Sequence, residues 1–554
     1  VPLAFGTSGL RGLVRDITDL EAYINVRGAL RYLVEVGDLS PDGSVVLAGD
    51  LRPSTDRIMR ACARAIVDAG LRVENAGKIP TPALLLHAIA TARPSVMVSG
   101  SHIPFDRNGI KLSKRAGEVL KEDEPGITRG VALTRAEEYA RTASASTFLP
   151  SGMSKTHYEL PPVDPSAEER YVRRYVGSFP VAALRELRVL VYEHSAVGRD
   201  ILGRILRDLG AEVVPAGRTE TFVPIDTENV TDELLARLLG LVEEAGSGRA
   251  LDAIVSTDGD SDRPLVGAVI PASADGPRHV RFLPGDLLGI VVAEYLRADA
   301  VVVPISANDA VARRMVERRC LLRQTRIGAP YVIAGLDEIA RTHAHERIVG
   351  WEANGGFLVG SDLLLAGGPL PALPTRDSTL PILANLFAAA DAGVGLSPFW
   401  DRLPARFGAA GLIDGVPVAH SEAIVKHLVP ASAVAIEVAF DETGAITARH
   451  RMGDEAVPLL PREQDLWRSL RATLAPFFTS GLGFGEIVGI NVLDGVRVSF
   501  SNGDVAHVRP SGNAPQLRVY ANSDTQTRAA RIVDLSLQEP DGILRKMERT
   551  FVGR

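Results

Sequence analysis

Three times in its first two-thirds, this chain runs an apolar, β-rich segment into a short loop, then into a helix-spaced segment, a glycine and another apolar run. The first copy has Val45-Val46-Leu47-Ala48 and a loop over 49–55. Ile58, Met59, Cys62, Ala63, Ile66 and Val67 follow at helical spacing, Gly70 stops the helix, and Leu71-Arg72-Val73 opens a strand. The second has Val189-Leu190-Val191-Tyr192, a loop, a helix over about 199–209, Gly210 and Val213-Val214. The third has Val301-Val302-Val303-Pro304-Ile305, a loop and a helix over about 309–319. Strands alternating with helices of this length predict βαβ units on mainly parallel sheets. The last part reads differently. Val496 to Phe500 and Val505 to Val508 alternate as strands around Asn502-Gly503, a hairpin signal, with another strand at Leu517 to Tyr520 and a helix over 525–535. That pattern predicts an α+β domain on an antiparallel sheet.

A chain of 554 residues exceeds what one hydrophobic core supports, so about three to four domains of ~100–200 residues are expected. Pro/Gly-rich stretches near 150–165, 271–285 and 393–416 place the domains at 1–160, 161–275, 276–400 and 401–554. With 61 basic against 68 acidic residues the chain carries a net charge of -7, which argues against a nucleic-acid partner. The apolar run over 287–305 is broken by Glu294, Arg297 and Asp299, so it reads as a helix and a buried strand, not a membrane span. Cys62 and Cys320, with no CxxC or Cys/His cluster, read as two buried thiols. Val1 to Gly6 lacks a basic region followed by an apolar run, so no secretory signal is expected and the default location is the cytoplasm.

Four loops carry chemistry. The run Val96-Met97-Val98 delivers Ser99-Gly100-Ser101-His102, a small-residue turn that exposes a serine. Serine is a weak nucleophile and needs a base, a positive environment or a metal to accept a phosphoryl group; His102 and Lys111 are candidates for that help. After Ala253-Ile254-Val255 comes Asp258-Gly259-Asp260-Ser261-Asp262-Arg263. Carboxylates at every second position repel one another without a cation, and hard oxygen ligands suit Mg²⁺ or Ca²⁺. An EF-hand is excluded, because Arg263 and Val269 stand where that loop needs Gly and Glu. Arg263 beside the metal can hold a phosphate. The turn Glu352-Ala353-Asn354-Gly355-Gly356 sets Glu352 and Asn354 to reach adjacent sugar hydroxyls. Finally, Arg509-Pro510-Ser511-Gly512-Asn513 offers a guanidinium fork and an anion nest for phosphate.

These loops, in this order, resemble those of the α-D-phosphohexomutase family, and Phe5-Gly6-Thr7-Ser8-Gly9-Leu10-Arg11-Gly12 resembles its N-terminal signature. The resemblance implies three related α/β domains with mixed sheets plus a C-terminal α+β domain with an antiparallel sheet, around a central cleft. It implies a phosphoserine at Ser101, Mg²⁺ on Asp258, Asp260 and Asp262 with the Ser101 oxygen, and Arg11 and Lys111 near the reacting hydroxyl. Glu352 and Asn354 would select the hexose. Arg263, Arg509, Ser511, Gly512, Asn513 and Arg518 would bind substrate phosphate. The implied reaction interconverts hexose 6-phosphate and hexose 1-phosphate, of mannose or glucose, through a hexose 1,6-bisphosphate that also serves as activator. The implied partners are small sugar phosphates, with neither nucleic acid nor membrane, and the chain would act as monomer or dimer.

The sequence departs from the family at three loops. Ile103 replaces the Asn that usually follows Ser-His. Asn354 stands for Ser, as in phosphoacetylglucosamine mutases, and Gly356 stands where His is common, so that any proton-carrying role this His has in relatives is vacant here or shared with Arg11 and Lys111. Asn513-Ala514-Pro515-Gln516 replaces Thr-Glu-Pro-Lys. Asn354 motivates an amino-sugar phosphate mutase as the alternative. A Mg²⁺-dependent phosphatase and a non-catalytic sugar-phosphate binder are weaker readings.

Overall fold

The computed structural model describes residues 5–6, 9–245, 249–273, 276–342, 347–429, 435–450, 455–511 and 515–553. It divides into two compact units, one of Val1–Ala298 with Gly328–Arg402 and one of Asp299–Ile327 with Leu403–Arg554.

All three repeats fold as the spacing predicts. Strand Ser44–Gly49, helix Thr55–Asp68 and strand Arg72–Lys78 form the first, with the strands parallel. Strand Arg188–Tyr192, helix Arg199–Asp208 and strand Glu212–Ala216 form the second, again parallel. Strand Ala300–Pro304, helix Asp309–Glu317 and strand Leu321–Thr325 form the third in the same manner. The reason is local. An amphipathic helix cannot bury its apolar stripe alone, and a right-handed crossover returns it to the sheet it came from.

In the first unit each repeat is extended the same way. Strand Ser95–Val98 pairs parallel to Ser44–Gly49, and strand Arg107–Lys114 returns antiparallel to it. Strand Ala253–Thr257 pairs parallel to Arg188–Tyr192, and Pro264–Ile270 returns antiparallel. The sheets are therefore mixed, as the family resemblance implies, and not mainly parallel as the periodicity by itself suggests. The Ser101 loop and the triple-aspartate loop both leave the carboxyl end of the inner strand before such a return. The Ser101 and triple-aspartate loops thus occupy one topological position, at the strand ends where open α/β sheets bind ligands. The Glu352 turn likewise joins a strand, Ile348–Trp351, to its antiparallel return, Phe357–Val359.

In the second unit, seven strands form a fully antiparallel sheet, in which Val496–Phe500, Val505–Pro510 and Gln516–Ser523 lie side by side. Helix Gln526–Leu537 follows, capped by Thr525 Oγ1, which accepts from the Arg528 N–H at 3.1 Å. The hairpin at Asn502-Gly503 is present, but only Gly503 adopts positive φ, at 83°, and the Phe500 N–H donates to Asp504 O at 2.9 Å. This is a three-residue turn closed by a left-handed glycine, not the two-residue turn that Asn-Gly most often signals. No described helix is long and apolar enough to cross a membrane. Cys62 is buried as expected. Cys320 is only half-buried, because it follows the end of its helix instead of lying within it.

Gly503→Ala should cost the hairpin about 1–2 kcal/mol, since a Cβ is disfavoured in the left-handed region. Amide hydrogen exchange over 496–510 should accelerate about tenfold; unchanged protection there would show that the turn does not need a glycine.

Candidate active site

Ser101 is buried, not exposed as its small-residue turn suggests, because Arg52 and Asp258 close on it, and it sits at φ 56°, a left-handed conformation uncommon for a residue with a Cβ. Two contacts hold it there. Its N–H donates to Ser99 Oγ at 2.8 Å, and its carbonyl accepts from Arg52 Nη2 at 2.7 Å. Its hydroxyl donates to Asp258 Oδ2 at 2.6 Å. The serine named from a turn in the first repeat therefore meets the aspartate loop of the second.

Arg52 organises the whole Ser101 loop. Besides Ser101 it donates to the carbonyls of Ile103, Pro104 and Arg107 at 2.6, 2.7 and 2.9 Å. It pairs with buried Asp50 at 3.2 Å, and its guanidinium lies 4.0 Å from the centre of the Phe222 ring. Gly100 leaves it room, since a Cβ there would stand 2.6 Å from Arg52 Cζ. Sequence reading missed Arg52 because an arginine in a polar loop looks like surface. The available signal was Asp50-Leu51-Arg52, an acid and a base on a loop just after a buried strand.

The ligand atoms of Asp258, Asp260 and Asp262 lie within 4.8 Å of one another, and all three residues are buried. Asp258 Oδ1 accepts from the N–H groups of Asp262 and Arg263, at 3.1 and 3.2 Å, and so closes its own turn. Asp260 Oδ1 and Asp262 Oδ1 are buried with no hydrogen-bond partner. Two orphaned carboxylate oxygens beside a third carboxylate fit a hard divalent cation. Burial, and then the charges of Asp260 and Asp262, push the Asp258 carboxyl well above its usual range. Burial acts on Asp260 in the same direction, but the charge and hydrogen bond of Lys111, with a bond from Thr81, outweigh it and hold Asp260 well below.

Cations close around this cluster. Lys111 Nζ, on strand Arg107–Lys114, donates to Asp260 Oδ2 at 2.6 Å and to Asp262 Oδ2 at 3.2 Å. Arg263 lies 3.7 Å from Asp262, 3.9 Å from Asp258 and 3.7 Å from Glu228. Arg376, absent from the sequence reading, bridges Asp262 Oδ2 at 2.9 Å and Glu352 Oε2 at 2.9 Å. Thr81, at the start of helix Thr81–Ala90, gives its hydroxyl to Asp260 Oδ2 at 2.6 Å and its N–H to the Asp260 carbonyl at 3.0 Å. Neither residue carried a sequence signal, because each meets the cluster only through folding.

Arg11 lies on strand Gly9–Leu13 opposite Gly109. Its side chain reaches solvent, yet desolvation, Arg263 and Arg376 hold its guanidinium below the ordinary range. Burial first, then Arg263 and Arg11, bring the His102 pKa down to about 2, so its imidazole is neutral and a feeble base. Glu352 and Asn354 are both buried. Glu352 faces Arg376, while Asn354 Oδ1 accepts from the Gly356 N–H at 2.9 Å and braces its own turn.

In the second unit, Arg509 and Arg518 are register partners on neighbouring strands. Like charges directly opposite repel. Arg509 leans on Asp494 at 3.4 Å, Arg518 Nη2 donates to Gln516 at 3.3 Å, and both Nε atoms are buried without a partner. Ser511 is buried beside them in sequence; Gly512 and Asn513, like Thr7 and Ser8 of the N-terminal motif, lie outside the described residues.

Sequence models of the phosphoglucomutase/phosphomannomutase family match the chain in four parts. Its α/β/α domains I, II and III match residues 2–137, 169–268 and 284–407, and its C-terminal domain matches 461–536. A phosphomannomutase of Sinorhizobium fredii is 35% identical over 532 residues, covering 96% of this chain and 97% of that protein. One of Salmonella muenchen is 34% identical over 535 residues, covering 96% and 94%. Among solved structures, a phosphoglucomutase/phosphomannomutase family protein of Burkholderia thailandensis superposes with a TM-score of 0.64 at 18% identity, covering 99% of this chain and 97% of that one.

Arg52→Met should destabilise the protein by about 3–5 kcal/mol, because Asp50 is left as an unpaired buried acid. Adding Asp50→Leu should recover part of that loss. Denaturant unfolding checks both; equal midpoints for wild type and Arg52→Met would remove Arg52 as the organiser of the loop.

Proposed function

Since the chain belongs to the phosphoglucomutase/phosphomannomutase family, we infer that it interconverts hexose 6-phosphates and hexose 1-phosphates, with mannose and glucose as the sugars. It is an intramolecular phosphotransferase, an isomerase of the phosphohexomutase kind. The observation that carries the residue-level reading is the 2.6 Å contact between the Ser101 hydroxyl and Asp258, inside a buried triple-aspartate cluster.

In this reading Ser101 carries a phosphoryl group. The free hydroxyl of a hexose monophosphate attacks its phosphorus, the bond to Ser101 Oγ breaks, and the hydroxyl proton departs, leaving a hexose 1,6-bisphosphate. After the intermediate turns over, its other phosphoryl group returns to Ser101 and the remaining monophosphate is the isomer. Little covalent help is required of the protein, and positioning and charge dominate. Asp258, Asp260 and Asp262 would hold Mg²⁺, which when bound supplies positive charge to the phosphoryl oxygens. Arg263 and Lys111 add fixed charge at the same place, since Asp260 and Asp262, outweighing burial, hold the Lys111 ammonium protonated, and Arg11, whose guanidinium is held below its ordinary range, takes the hydroxyl proton. His102, held neutral, supplies shape rather than charge. Glu352 accepts from sugar hydroxyls. Arg509, Arg518 and Ser511 supply charge and a donor for substrate phosphate; mutual repulsion of the two arginines favours an anion between them. A hexose 1,6-bisphosphate would reload Ser101 and so activate the enzyme. A cytoplasmic setting agrees with Cys62 and Cys320 being unlinked by a disulfide.

Asn354 motivated the amino-sugar alternative. With its oxygen engaged by the Gly356 N–H, it is a weak basis for choosing that sugar. The purified chain, given Mg²⁺ and a trace of hexose 1,6-bisphosphate, should convert the 1-phosphates of mannose and glucose faster than those of glucosamine and N-acetylglucosamine. The reverse order would establish the alternative, and release of free phosphate instead of isomer would make it a phosphatase. Ser101→Ala should lower turnover by about 10³-fold or more. Chelation should abolish activity and added Mg²⁺ restore it; full activity in excess chelator would remove the metal from the reading.

A further inference from the structure

Arg376 is one of the least accommodating side chains in the first unit. It lies on strand Leu373–Asp377 and is 6% exposed. Its Nη1 donates to Glu352 Oε2 at 2.9 Å, and its Nε reaches Asp262 Oδ2 at 3.1 Å. One rigid fork therefore ties the carboxylate of the Glu352 turn to the aspartate loop. The backbone around it is pinned on both sides. Thr375 Oγ1 donates to Glu118 at 2.6 Å, Tyr171 donates to Asp377 at 2.6 Å, and Ser378 Oγ donates to the Ser261 carbonyl at 2.7 Å.

The space for this arginine comes from Gly356. A Cβ at that position would stand 2.7 Å from both Cδ and Cγ of Arg376 and 2.9 Å from its Cβ. Gly356 is not among the positive-φ glycines, so no backbone conformation demands its lack of a side chain. What demands it is the arginine stem. Thr375, Arg376, Asp377 and Ser378 are all buried, so the stem has nowhere to retreat.

We propose that Arg376 is the positioning residue of the sugar-reading carboxylate. It holds Glu352 against the aspartate loop through space that Gly356 leaves open, so that positions 356 and 376 act as one unit. Gly356 is then not a vacated catalytic position but the clearance for a different side chain. With Oε2 held by Arg376, Glu352 keeps Oε1 for a sugar hydroxyl. Lysine cannot substitute fully, because a compact ammonium lacks the separated Nε, Nη1 and Nη2 donors with which the fork meets Asp262 and Glu352 at once. The proposal takes the ligand, a hexose phosphate, from the mutase reading; the coupling of the two positions stands on geometry alone.

The test is a double-variant cycle on the full-length chain with Arg376→Ala, Gly356→Ala and the two combined. Mannose 1-phosphate binding in the presence of Mg²⁺ is measured by calorimetry, KM and kcat are measured alongside, and thermal unfolding serves as the control for folding. Each single change should weaken binding and raise KM about tenfold or more while kcat falls less. The double variant should be no worse than Arg376→Ala, since the added methyl then enters the space the arginine has left. Arg376→Lys should recover only part of the binding, and Arg376→Ser, which also removes the stem beyond the γ position, replaces Arg376→Ala in the cycle if the alanine variant does not fold. Wild-type binding by Gly356→Ala, or losses that multiply in the double variant, would overturn the proposal. A wild type that binds mannose 1-phosphate but never isomerises it would sink the mutase reading, and the binding cycle would still decide the coupling.

Discussion

Three buried carboxylates within 4.8 Å of one another set the terms for everything around them. At an effective dielectric of about 20, each pair of charges at that separation repels by at least about 3 kcal/mol. Burial adds a desolvation cost for every charge. The fold answers with Lys111, Arg263 and Arg376, with the hydroxyls of Thr81 and Ser101, and with a raised Asp258 carboxyl. Even so, two carboxylate oxygens keep no hydrogen-bond partner. A cluster that is compensated but not satisfied has a structural reason to take a cation, and the serine that would carry the phosphoryl group is hydrogen-bonded to it.

Because the compensating groups come from far along the chain, the cluster also explains why the first unit is built from repeats. Lys111, Thr81 and Ser101 belong to the first repeat, the aspartates to the second, and Glu352 and Arg376 follow the third. A parallel inner strand followed by an antiparallel return puts the Ser101 loop and the aspartate loop each at the carboxyl end of its own sheet. Repeating that construction gives one chain several equivalent loops to bring to a common charge. Ser101 and Ser261 both take left-handed φ within these loops, a conformational cost concentrated where the chemistry is placed.

Much of this was legible beforehand. Periodicity located the βαβ units to within a few residues, since apolar spacing reports directly which face of a helix or strand is buried. The aspartate loop was legible because three acids at alternate positions after a buried strand have few other uses. Asn502-Gly503 indicated a hairpin but not its turn type, because a lone Gly in the left-handed region and an Asn-Gly pair share one sequence. Arg52 and Arg376 were not legible. Buried arginines look like surface arginines until their carbonyl and carboxylate partners, dozens or more residues away, are in place.

Gly356 shows where the division falls. Sequence alone determined that the chain repeats an α/β unit three times, ends in an antiparallel domain, and carries a serine turn, a triple-aspartate loop and an arginine-bearing loop. All of these follow from local patterning and residue chemistry. Read the same way, Gly356 was a missing side chain. Only tertiary structure decided that its space is filled by Arg376 and that Arg52 holds the serine loop. Those are contacts between segments distant in sequence, and packing, not local preference, selects them.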